Sequence, residues 1–142
     1  MATVNDMIKR MQSLNVKEVS YESVVETKET ITEIQKDQMY HGLDGQGKKI
    51  RRYRSVKYAR AKNEMNPLPG LGTPDLKLTG AFYRYFQTKV TPEAFSTSST
   101  DEKNDALTAK YDPFGLDKES KSEYAGKLRP VLVKNVKEKL ML

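Results

Sequence analysis

The ten residues NPLPGLGTPD, Asn66 to Asp75, hold three prolines and two glycines. Each proline fixes its own φ and lacks an amide donor, so neither a helix nor a central strand can run through the stretch. It must be an irregular connection, and it divides the chain. A second break stands upstream at GLDGQG, Gly42 to Gly47, where three glycines make a turn-rich loop and Gly42 stops the preceding helix.

Regular elements must fit between these breaks. Val4, Met7, Ile8, Met11 and Leu14 recur at spacings of three and four, which predicts an amphipathic helix from Thr3 to Leu14. Asn15 to Val19 interrupts it. Ser20 then serves as the N-cap of a second helix reaching Tyr40, with Tyr21, Val24, Val25, Ile31 and Ile34 on one face beside Thr27 and Gln38. After the glycine loop, Ile50, Tyr53 and Val56 lead into a short helix from Val56 to Asn63. Beyond the proline stretch, Leu78, Ala81, Phe82 and Tyr85 predict a helical turn, and Phe86, Thr88 and Val90 a strand. AFSTSST and DALTAKY flank the polar turn Thr100 to Asn104 and read as a β-hairpin, Phe95 to Tyr111. A C-terminal helix, Glu119 to Leu140, carries Leu128, Leu132, Val136 and Leu140 four apart; Pro130 should kink or restart it.

The fold class is α+β: N-terminal helices, a small antiparallel sheet and a long C-terminal helix in one domain, 1–142. Within it, 1–41 is helical, 42–74 holds the loop, the short helix and the connection, and 75–142 holds the sheet and the closing helix. Apolar residues make up 37% and charged residues 31%, so the core is small for 142 residues. Part of the stability is expected to come from partner subunits.

Several chemistries are disfavoured. There is no cysteine, hence no disulfide framework, no cysteine-ligated zinc and no thiol nucleophile. No apolar run suits a signal peptide or a membrane span, so a soluble chain used without export or membrane contact is expected. His41 is the single histidine, and with no cysteine a metal site there would need carboxylates alone around it, so a helix-end histidine with no special role is expected. The serines of FSTSST suit a solvent-facing strand, and the carboxylates of DKESKSE alternate with lysines as on an exposed helix face. Gly42 to Lys48 matches the phosphate-loop pattern G-x-x-x-x-G-K, but Lys49 stands where Ser or Thr would hold magnesium. A polar helix end, not a buried strand, precedes it. No catalytic residue, metal or cofactor is expected.

The charge that remains is concentrated. Lys48, Lys49, Arg51, Arg52, Arg54, Lys57, Arg60 and Lys62 contribute +8 with no acid between them, whereas the chain as a whole carries +6. This is a near-neutral domain with one basic segment, which suits a particular anionic surface. Tyr53 and Tyr58 interleave with the cations, as in proteins that contact phosphates and stack bases, so a free nucleic-acid-binding protein is one reading.

Four pieces in order carry a resemblance. They are Asp44-Gly45 followed by Ile50 and Tyr53; Tyr58-Ala59 with Lys62; Pro74-Asp75-Leu76-Lys77-Leu78-Thr79-Gly80-Ala81-Phe82; and Phe114-Gly115-Leu116 ahead of Arg129-Pro130. This pattern resembles the tail-completion, or virion-morphogenesis, family of tailed bacteriophages, with Ile50 where members often have Trp and Phe82 where Leu or Arg is usual. The resemblance implies a structural, non-enzymatic virion protein at the head–tail junction, in the neck or tail, assembled in the host cytoplasm. It implies a homo-oligomeric ring of six-fold or twelve-fold symmetry around the DNA channel, contacting portal, neck and tail proteins. Asp75, Leu76, Leu78, Thr79, Gly80 and Phe82 would be its structural motif. The eight cations would face genomic DNA or an acidic ring surface.

Overall fold

The structure is a computed structural model and describes residues 3–77 and 81–141. Among them the order is α1 (Val4–Ser13), α2 (Val16–Glu26), α3 (Lys28–Tyr40), α4 (Val56–Met65), α5 (Ala81–Arg84), β1 (Phe86–Val90), β2 (Phe95–Ser99), α6 (Asn104–Tyr111) and α7 (Lys118–Leu140). Helices dominate one small antiparallel sheet, so the class is α+β as the sequence predicts. Of the expected structural motif, Leu78, Thr79 and Gly80 lie outside the described residues.

The N-terminal helices begin at capping side chains. Thr3 and Asp6 form a reciprocal box at the start of α1, with each side chain accepting from the other's backbone amide. Asn15, rather than Ser20, caps α2: its Oδ1 accepts from the Glu18 amide at 3.1 Å. The predicted interruption at 15–19 is therefore the first turn of a helix. The second correction is at Thr27, which divides the expected single helix into α2 and α3. Its amide turns back to the Ser23 and Val24 carbonyls, and its hydroxyl meets Tyr124 Oη at 2.8 Å. A β-branched hydroxyl residue that bonds its own preceding turn competes with helix continuation.

α3 is the central element and serves two apolar clusters. Near its start, Ile31 and Ile34 pack with Leu116 and Tyr124, which brings in α7. Near its end, Met39 packs with Ile50, Phe82, Tyr83 and Phe86, and Phe114 lies edge-on to Phe82 and Phe86. β1 runs along α3 in the opposite sense. Phe86 is beside Met39 and Thr88 Oγ1 meets Thr32 Oγ1 at 2.7 Å, so the hairpin tip points past the N-terminal end of α3.

The strand pairing differs from the prediction. β2 pairs with β1, Phe86 opposite Ser99 through Val90 opposite Phe95, and DALTAKY is helix α6. Leu107 and Tyr111, four apart, both pack on the second cluster, which is the helical period. A seven-residue run with Ala, Leu and Ala can satisfy either period, and the core selected the helix. At the C-terminus, α7 runs unbroken through Pro130. Pro130 has no amide to donate, so one ladder bond is missing at that point, and the helix continues on both sides of it. α7 is tied to α2 by Asn135, which donates to Ser23 Oγ and Glu26 Oε2, and by the Lys134–Glu26 ion pair at 3.3 Å. Among the described residues no helix is long and apolar enough to cross a membrane.

Candidate anion-facing surface

The glycine loop that precedes the basic segment is closed to ligands by its own hydrogen bonds. Asp44 Oδ1 accepts from the amides of Gln46 and Lys48, at 2.9 and 3.0 Å. The Asp44 amide donates to the Lys48 carbonyl, Gly45 to Asp112, and Gly47 to Asp44. Every amide from Asp44 to Lys48 is committed, whereas a phosphate loop must aim free amides at its ligand. The glycines have a packing reason instead. A Cβ on Gly45 would stand 2.0 Å from the Phe114 carbonyl oxygen, so only glycine lets the loop meet the 112–117 segment.

Two buried glutamines fasten this contact. Gln38 Nε2 donates to the Asp44 and Gly115 carbonyls, and its Oε1 accepts from the Asp117 amide at 2.9 Å. Gln35 Oε1 accepts from the Gly115 amide, and its Nε2 donates to the Pro113 carbonyl. Of the two, the sequence pattern places Gln38 on the inner face of the helix and does not mark Gln35. Their spacing on the stripe of Ile31 and Ile34 was the available signal.

From this base the basic segment runs across the surface, pinned at alternate points. Ile50 is buried in the second cluster and its amide donates to the Gly42 carbonyl; the Tyr53 amide donates to Gly72. Ser55 caps α4 by accepting from the Tyr58 amide, and Ala59 turns inward. Between these anchors Lys48, Lys49, Arg51, Arg52, Arg54, Lys57 and Arg60 are exposed. None of the seven forms an ion pair with a carboxylate among the described residues. Lys49 directs its ammonium to the Pro69 carbonyl.

Lys62, the eighth predicted cation, departs from its neighbours. It lies on the inward face of α4 with Ala59, one turn before Asn66, and its Nζ meets Asp75 Oδ1 at 2.8 Å. The pair is buried. Asn66 Nδ2 donates to Asp75 Oδ2 at 3.1 Å and to the Tyr40 carbonyl at 2.7 Å. The Lys77 amide donates to Asp75 Oδ1, which Leu76 permits by adopting a left-handed backbone, φ 58°. Tyr83 Oη donates to the Asp75 carbonyl. Asp75, Leu76 and Phe82 are thus structural, Phe82 at the centre of the aromatic cluster, whereas Lys62 belongs to this knot and not to the exposed surface. The helical spacing of Ala59, Lys62 and Asn66 was the signal that could have separated it.

Burial first, then the Asp75 charge, raises the phenol pKa values of Tyr53 and Tyr83 above the ordinary tyrosine value. Tyr53 meets Tyr58 edge-on, with ring centroids 5.0 Å apart, and Tyr58 is 39% exposed. The surface thus presents a row of exposed cations on a backbone held at Ile50, Tyr53 and Ala59, an arrangement suited to an extended anion. Comparison of the chain with family models, curated proteins and solved structures returns no match.

Proposed function

We propose that the chain is a structural, non-enzymatic virion protein of a tailed bacteriophage, forming a ring at the head–tail junction around the DNA channel. The carrying observation is the row of seven exposed cations, none of them ion-paired among the described residues, on a segment held at Ile50, Tyr53 and Ala59. Repulsion among such charges is tolerated where a stationary anionic surface lies opposite, and repetition around a ring multiplies the field within about 10 Å at ordinary salt. Portal, neck and tail proteins are its neighbours in this reading, with genomic DNA passing nearby. Assembly in cells tests it: Arg51→Ala, Arg52→Ala and Arg54→Ala together should leave heads and tails unjoined or leaking DNA. Normal particle yield and DNA retention from that triple variant would count against the reading.

The exposed ring of Tyr58 beside these cations supports a second reading, a free nucleic-acid-binding protein. Tight binding of duplex DNA by the monomer, with steep salt dependence and no association with particles, would favour it.

A further inference from the structure

The connection 66–73 is more than a spacer. The Gly70 amide donates to the Pro67 carbonyl and the Thr73 amide to the Gly70 carbonyl, which makes two successive tight turns. Leu68 and Leu71 occupy the same corner of each, the second residue, and they are 53% and 55% exposed. Gly72, with φ 89°, supplies the left-handed third residue that the second turn needs. The turns are held from below. Pro69 is buried against Gly42, where a Cβ would come within 2.6 Å of it, and Asn66 Oδ1 accepts from the Leu68 amide.

Cations frame this pair of leucines. Lys49 donates to the Pro69 carbonyl between them, and its Nζ stands 4.0 Å from where a Gly70 Cβ would lie. The Arg52 side chain passes 3.9 Å from the corresponding point on Gly72. The basic surface therefore has two exposed apolar side chains at its edge, carried on turns whose backbone is held by hydrogen bonds.

A duplex offers phosphates to the cations but nothing on its backbone to receive two aliphatic side chains. Protein interfaces have the complementary arrangement, an apolar centre with a charged rim. We infer that the Leu68–Leu71 knuckle and its flanking Lys49 and Arg52 dock on a protein surface with an apolar recess rimmed by carboxylates, in preference to nucleic acid. This rests on the junction reading only for where such a surface would be met.

The test uses defined polymers and the full chain. Calorimetric titration would compare poly-L-glutamate, a glutamate–leucine copolymer of equal charge and mixed-sequence duplex DNA at one salt concentration. The copolymer should bind about tenfold tighter than polyglutamate. Leu68→Ser with Leu71→Ser should erase that difference without shifting the melting temperature, and Lys49→Ala with Arg52→Ala should weaken both polymers. Equal affinity for the two polymers, no binding to either, or an unchanged preference in the serine variant would overturn the inference. DNA binding tighter than the copolymer would assign the surface to nucleic acid instead. None of these outcomes depends on particles, so the junction reading fails or stands separately.

Discussion

Lys62 Nζ lies 2.8 Å from Asp75 Oδ1, and the two side chains are only 6% and 3% exposed. This ion pair joins the inner face of α4 to the end of the proline-rich connection, and so fixes the platform from which the exposed cations project. A buried pair is costly to form, but removing one member leaves an uncompensated charge inside the protein. Lys62→Met or Asp75→Leu alone should cost about 3–5 kcal/mol in denaturant unfolding. The double variant should lose less than the two singles combined. Its recovery should be incomplete, because Asn66 Nδ2 and the Lys77 amide still lose an acceptor.

Two glycines should respond oppositely to alanine. Gly45→Ala drives a methyl group into the Phe114 carbonyl, backbone that cannot yield without parting the two loops. A loss of about 1–3 kcal/mol or more is expected. Gly126→Ala, in the middle of α7 with nothing within 4 Å, should stabilise by about 0.5–1 kcal/mol. Thermal melts of the two variants would check both signs.

Gln38 closes three backbone groups, the Asp44 and Gly115 carbonyls and the Asp117 amide. Gln38→Met keeps the volume but removes the acceptor of the Asp117 amide and the side-chain donor to the Gly115 carbonyl, while the Asp44 carbonyl still accepts from the Gly47 amide; a loss of about 1–3 kcal/mol is expected. Hydrogen exchange should quicken at Asp117 and Gly45 before the rest of the chain. Unchanged protection there would show that the glutamine is not the fastener.

Tyrosine titration should show the knot from another side. Tyr53 and Tyr83 have raised pKa values through burial and the Asp75 charge, so their folded values exceed 10.0, the ordinary one. A raised folded pKa gives stability that is complete below pH 10.0 and is lost as pH rises toward the folded value. Alkaline absorbance titration should show a late-ionising fraction that appears with unfolding, and Tyr83→Phe should reduce it.

These relationships also explain how far the sequence could be read. The helix of Val4, Ile8 and Met11, the short helix after Ser55 and the strand of Phe86, Thr88 and Val90 follow local periods that packing did not override. The pairing of FSTSS with FQTKV, and the helix formed by DALTAKY, depend on Leu107 and Tyr111 reaching a core assembled from distant segments. The same division runs through the surface. Charge density marked all eight cations, but only the fold turns Lys62 toward Asp75 and leaves the other seven in solvent. Leu68 and Leu71 lie in a stretch whose composition marks only an irregular connection, and turn geometry is what presents them.

The most direct measurement is quantitative mass spectrometry of purified phage particles assembled with this chain, together with imaging of a labelled copy. A chain with the proposed place in the neck or tail should be found in the particle at a fixed number of copies consistent with six-fold or twelve-fold symmetry, localised at the junction of head and tail. A chain absent from particles, recovered instead as a monomer bound to duplex DNA, would contradict it.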